Sequence, residues 1–207
     1  LESPFERLKH LVAAQIGAMR YGIEGVGLKS PLNPILGETR MMTTPKGSRL
    51  YCEQTSHHPP ISHFLMEGPP ELPFSIDGYM EVKLGVRGMF SSVLFQMAGV
   101  IRLRLPDKTL IEMSPKAMEI SGLLSSEKVF NLIETMTIND VTNGVNAEII
   151  FDCNKEKRAG YVTSFFKSEK VDEQGNQINR SDLIDIKLTD DADFEIGRGS
   201  GSYLENV

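Results

Sequence analysis

A chain of 207 residues of which 40% are hydrophobic can bury one sizeable core, and it suits one domain better than two. Its net charge of −6 offers no basic field to hold nucleic acid or an anionic membrane, so any recognition of phosphate must be local. No apolar run reaches the roughly 18 to 20 residues that span a bilayer, which leaves peripheral contact as the expected relation to membranes.

Ser3-Pro4-Phe5-Glu6 has a capping serine, a proline at the first helical position and an acid three residues after the cap, so a helix starts there. Phe5, Leu8, Val12, Ile16 and Met19 then recur on one face until Gly22, Gly25 and Gly27, which predicts a helix over 4–20 that docks on something larger. From Phe74 the period becomes two: Phe74, Ile76, Gly78, Met80, Val82 and Leu84 share one face of a strand. Val93–Leu105 reads as one or two strands, followed by a Pro106-Asp107 turn and a hairpin partner over Thr109–Met113. Ala117–Leu124 gives a short strand and Lys128–Ile138 a longer one, ending at the turn-rich Asn139–Gly144. Val145, Ala147, Ile149, Phe151 and Cys153 alternate with mostly polar neighbours, the clearest strand pattern in the chain. Tyr161–Lys167 and Leu183–Leu188 add further strands, separated by a polar stretch, Val171–Asp182, that reads as a solvated loop. The Gly-Arg-Gly-Ser-Gly-Ser run from Gly197 lacks the strand and helix of a nucleotide-binding unit and reads as a flexible tail over 197–207. Strands this numerous are best closed into a barrel or stacked as a sandwich, which removes exposed edges.

Cys52 and Cys153 are the only cysteines and can form at most one bridge; the first residues also lack the pattern of a secretory leader. The expected setting is therefore reducing and cytoplasmic.

Two stretches stand apart from this background. In Lys29-Ser30-Pro31-Leu32-Asn33-Pro34-Ile35-Leu36-Gly37-Glu38 the prolines restrict their own φ and bias the preceding residues toward extended geometry, fixing how Leu32 and Asn33 are presented. In Glu53-Gln54-Thr55-Ser56-His57-His58-Pro59-Pro60 two histidines lead into a diproline that cannot continue as a central strand. Adjacent side chains of a regular strand face opposite ways, so both imidazoles meet one ligand only where the backbone is irregular. Histidine as a residue type titrates near pH 6.5, and a phosphate favours its cationic, doubly donating form. By spacing alone the pair is compatible with an anion clamp, with a plain surface loop, or with a zinc site shared with Cys52 and His63. No H-E-x-x-H or paired C-x-x-C supports the zinc. Glu38 and Glu53 are conceivable as an acid/base pair, although exposed glutamates beside strands are usually solvated. No serine sits in the G-x-S-x-G elbow of a lipase-type nucleophile.

Glu53-Gln54-x-Ser56-His57-His58-Pro59-Pro60 resembles the fingerprint of the oxysterol-binding-protein-related family, and Pro31-Leu32-Asn33-Pro34-x-Leu36-Gly37-Glu38 resembles its companion motif at suitable spacing. The resemblance implies a mainly β fold: a large antiparallel, incomplete β-barrel around a lipid tunnel, preceded by a short helix. It divides residues 1–207, as one lipid-binding domain, into helix 4–20, motif loops 28–63, barrel-like strands 74–190 and the tail. The implied function is exchange of a sterol or phospholipid for phosphatidylinositol 4-phosphate between membranes, by a monomer, with no covalent step, cofactor, metal or nucleic acid. By position His57 and His58 would contact the 4-phosphate, while Leu32 and Asn33 would support the inositol phosphate and glycerol. Lys29 is the nearest cation, because Ser30 stands where the family usually has a lysine. The resemblance also implies that a lid before Leu1 and a basic segment after Val207 are missing, as in a trimmed piece or shortened member. Two other readings remain open: a metal-assisted hydrolase using His57, His58, His63 and Glu53, and an adaptor that keeps the fold without transferring lipid.

Overall fold

The structure, a computed structural model, describes residues 3–24, 34–87, 92–122, 129–151, 183–190 and 195–202. Helix α1 (Pro4–Glu24) begins at the proline, where the missing amide costs nothing. Leu8, Val12, Ile16 and Met19 on its predicted face are buried, and Phe5 and Leu11 pack beside them. The helix runs through Gly22, past the predicted end at residue 20, because one glycine weakens a helix by only about 1 kcal/mol without stopping it.

Among the described residues the helix lies on a twelve-stranded sheet. Its strands are β1 (Thr39–Thr43), β2 (Arg49–His57), β3 (Pro60–Glu67), β4 (Ser75–Arg87), β5 (Ser92–Arg104) and β6 (Leu110–Met113). They continue as β7 (Ala117–Ser121), β8 (Val129–Ile133), β9 (Thr135–Asp140), β10 (Val145–Phe151), β11 (Leu183–Asp190) and β12 (Glu195–Ser202). Every pairing is antiparallel. The order is β1-β2-β3-β4-β5-β6-β9-β10-β11-β12, with β7 and β8 branching from β5. Among the described residues β1 and β12 end the sheet and are not paired with each other, so the expected antiparallel, mainly β, incomplete barrel is what the chain forms.

Cross-strand partners share a face, so the register sorts the sheet into two sides. The helix side carries Leu103, Ile111, Met113, Ile138, Ala147, Ile149, Phe151 and Leu188, all buried against α1. The outer side carries Asp77, Arg102, Arg104 and Glu112, joined as ion pairs. Part of the interior expected to be a tunnel is therefore solid, filled by α1 over β6, β9, β10 and β11. Farther along β4 and β5 the helix side is apolar but open. Leu84 pairs with Phe95 and Val86 with Val93, yet Leu84 is 68% and Val86 56% exposed.

Several sequence expectations need correction. The stretch 28–63, expected as motif loops, contributes β1, β2 and the start of β3; its prolines and mixed pattern hide the period of two. Lys128–Ile138 is two strands, because Glu134 takes φ +70° and moves the chain from pairing with β7 to pairing with β6 and β10. Only Gly, Asn or Asp would have announced that conformation. Val93–Leu105 is a single strand, β5, and the Ala117 strand ends at Ser121. The tail expected to be flexible is a strand up to Ser202: Gly197, Gly199 and Gly201 stand opposite Leu188, Ile186 and Ile184 of β11. A stripe of glycine at period two lets another element come close; a Cβ on Gly197 would stand 3.3 Å from the Phe5 ring of α1. The strand expected over Tyr161–Lys167, the loop Val171–Asp182, Cys153 and 203–207 lie outside the described residues.

The β5–β6 turn fastens the helix. Asp107 accepts the Thr109 amide at 3.0 Å, and Arg7 of α1 donates to Asp107 Oδ2 at 3.0 Å and to Thr109 Oγ1 at 2.6 Å. The backbone and side-chain bonds from Thr109, and then Arg7, hold the Asp107 carboxyl below its ordinary value of 3.8. A depressed carboxyl stabilises the fold above its unfolded pKa, and that contribution is lost as pH falls through the folded value. The thermal midpoint of Asp107→Asn is expected to lie below wild type at neutral pH, with the gap narrowing once pH drops under 3.8. A gap independent of pH would show that the charge plays no part.

Candidate functional site

The second motif folds as the β2–β3 hairpin. His57 pairs with Pro60, and His58 and Pro59 make the reversal, with a cis peptide between them. Before the tip the register shifts between Gln54 and Ser56, so one extra residue opposes β3. That bulge moves His57 onto the side occupied by Leu50, Cys52 and Gln54; in an uninterrupted strand it would face outward. Gln54 is buried and locks the bulge, its Nε2 donating to the Ser56 carbonyl at 2.8 Å while its Oε1 accepts from Ser62 Oγ. Both imidazoles are exposed at the tip, with ring centroids 4.7 Å apart and planes at 66°. The irregularity that two converging histidines require is present, and it has two sources, the bulge and the proline turn.

The end of the first motif is tied to the same spot. Glu38 N donates to Ile35 O at 3.0 Å, closing a turn over Ile35-Leu36-Gly37-Glu38, and Glu38 Oε2 accepts the Ile35 amide at 3.0 Å. Gly37 N donates to Gln54 O at 2.8 Å and Gln54 N to Glu38 O at 3.1 Å. Gln54 thus joins the two motifs. The sequence assigns it no role, because a glutamine flanked by exposed positions gives no sign that it is buried. Lys29, Ser30, Leu32 and Asn33 lie outside the described residues.

His63 belongs elsewhere. It sits on the outer face, bonded through Nδ1 to Thr55 Oγ1 at 2.7 Å, with its ring 5.4 Å from that of Tyr79. It borders an outer concavity of about 500 Å³ with Met41, Tyr51, Glu53, Leu65 and Tyr79, on the side of the sheet away from α1. His57, His58 and His63 therefore do not form one ligand set. Among the described residues no three His, Cys, Asp or Glu side chains gather as a metal site. Glu38 is engaged with the turn and Glu53 faces outward, so the acid/base pair does not assemble either. Cys52 is a free, half-buried thiol. No helix among the described residues is long and apolar enough to cross a membrane.

Compared with known proteins, residues 1–179 match the family model described as oxysterol-binding protein. The chain belongs to the oxysterol-binding protein family. Its relatives in that family include oxysterol-binding protein 9 of Dictyostelium discoideum, 30% identical over 169 residues that make up 81% of this chain and 37% of the relative. Mouse oxysterol-binding protein-related protein 1 is 39% identical over 108 residues, 52% of this chain and 11% of that one. Among solved structures the Osh1 ORD domain in complex with cholesterol superposes with a TM-score of 0.74 at 20% identity, covering 99% of this chain and 43% of its own. The Osh3 ORD in complex with PI(4)P from Saccharomyces cerevisiae gives 0.70 at 19%, covering 96% and 48%. The chain thus spans less than half of these oxysterol-binding family members, and its fold is theirs over nearly its whole length.

Proposed function

We propose that this chain is a lipid-binding module that takes up a sterol or phospholipid and exchanges it for phosphatidylinositol 4-phosphate, making and breaking no covalent bond. The observation that carries the reading is the pair of converging, exposed imidazoles at the end of an open apolar wall. Met80, Val82 and Leu84 of β4, with Phe95 and Met97 of β5, line that wall on the helix side, the side to which the bulge turns His57. An apolar body laid on it gains roughly 25 cal/mol per Å² removed from water, and polar groups at one end fix its orientation. His57 and His58 are proposed to donate to the phosphate, with Lys29, Leu32 and Asn33 completing the head-group site. Related folds have been solved with cholesterol and with PI(4)P, which supports both classes of cargo. The proposed setting is cytoplasmic, in transient contact with organelle membranes.

Mixed with vesicles carrying a fluorescent sterol, the protein is expected to take up sterol in proportion to its concentration. Vesicles containing phosphatidylinositol 4-phosphate should then release it, while phosphatidylcholine vesicles should not. Absence of uptake for both lipids would leave the adaptor reading in its place.

A further inference from the structure

We infer that the Ile35-Leu36 turn is a membrane wedge, inserting two aliphatic side chains into the bilayer beside the proposed head-group site. Ile35 is 71% and Leu36 64% exposed, and nothing in the turn itself asks for apolar residues. Gly37 has φ +78°, the conformation a type II turn requires at its third position, whereas the first two positions accept polar residues or proline. The turn is also rigid. Its closing bond, the Glu38 carboxylate on the Ile35 amide and the two backbone bonds to Gln54 fix it on all sides. A rigid apolar tip loses little conformational freedom on insertion.

Position favours a bilayer over a protein partner. β1 and β2 are antiparallel, with Thr39 opposite Glu53, so the turn before β1 projects from the same end of the sheet as the His57-His58 tip. A phosphoinositide presented to that tip would bring the surrounding acyl chains within reach of Ile35 and Leu36. With a net charge of −6, the chain gains no general attraction to anionic lipid, so adhesion must come from buried apolar surface. The inference rests on the lipid-exchange reading for its geometry.

The chain contains no tryptophan, so Leu36→Trp places a single tryptophan at the tip, excited apart from the tyrosines at the red edge of its absorption. Its emission should shift to the blue on adding phosphatidylcholine vesicles and be quenched by brominated acyl chains; emission that does not change overturns the wedge. A short-chain, water-soluble phosphatidylinositol 4-phosphate should leave the emission unmoved, because an equal shift there would make Leu36 part of the ligand site and overturn the wedge too. In the second arm Ile35→Ser with Leu36→Ser should lower partitioning onto vesicles containing phosphatidylinositol 4-phosphate about tenfold or more, with affinity for the soluble lipid preserved. Partitioning equal to wild type overturns the inference. Failure of wild type to bind the soluble lipid counts instead against the exchange reading, and the tryptophan arm still decides the wedge.

Discussion

Replacing His57 and His58 together by alanine is expected to lower affinity for phosphatidylinositol 4-phosphate about a hundredfold or more, with sterol uptake preserved. The size follows from two hydrogen bonds to a charged acceptor, each worth about 1.5–3 kcal/mol, where 1.4 kcal/mol is tenfold. The selectivity follows from geometry: both rings are exposed at the hairpin tip, 4.7 Å apart, and neither belongs to the core packed on α1. Single replacements should each lose part of the effect, and the two losses should not add, because the rings serve one acceptor. Gln54→Ala tests the support behind them. Removing the bonds to Ser56 and Ser62 frees the bulge, so the head-group affinity should fall even though both imidazoles remain. Titration with the soluble lipid and sterol uptake from vesicles, measured on the same samples, separate the cases. If the double variant binds the phosphoinositide as wild type does, the anion-donor role is wrong. If sterol uptake falls in parallel, the tip supports the whole fold and its selectivity is refuted.

How far the sequence reveals this arrangement depends on whether the controlling interaction is local. The face of α1 is readable because Leu8, Val12, Ile16 and Met19 bury themselves at helical spacing. The β5–β6 hairpin is readable because Pro106-Asp107 has turn chemistry of its own. β10 is readable because Val145, Ala147, Ile149 and Phe151 turn one face to the helix side, with only Ile150 breaking the alternation. The tail, the break at Glu134 and the bulge before His57 are hidden because a distant partner decides each of them. Gly197, Gly199 and Gly201 look like a loose tail until β11 is seen to pair with them and Phe5, far away in sequence, to lie against Gly197. Glu134 bends the chain because β8 and β9 take different neighbours, and no residue there has a turn signature. The bulge that aims His57 is held by Ser62 on the next strand, so the fingerprint names the pair without revealing how the backbone turns it.

The shape of the open wall depends on two glycines, and substituting either is expected to cost about 3 kcal/mol or more. β4 and β5 are paired over 13 residues each, roughly 40 Å of ribbon, and a ribbon that long must coil. The tightest approach flanks the Tyr79–Val100 pair. A Cβ on Gly78 would stand 2.2 Å from the Val100 carbonyl oxygen, and one on Gly99 2.1 Å from that of Tyr79. Gly99 also has φ +140°, which L-residues with side chains avoid. Both obstructions are backbone, so no rotamer change relieves them, and the strands must separate where the wall of Met80, Val82 and Leu84 begins. Gly78→Ala and Gly99→Ala should therefore lower the thermal midpoint by about 6 to 12 °C, at 2 to 4 °C per kcal/mol for a chain of this size. Gly85→Ala is the control within the same ribbon. Its nearest neighbour would be Leu94 Cβ at 3.6 Å, an ordinary contact, and a strand gains by exchanging glycine for alanine, so its midpoint should equal or exceed wild type. Equal midpoints for all three variants would mean that the ribbon does not pinch at Tyr79, and the orientation of the wall toward His57 would lose its physical basis.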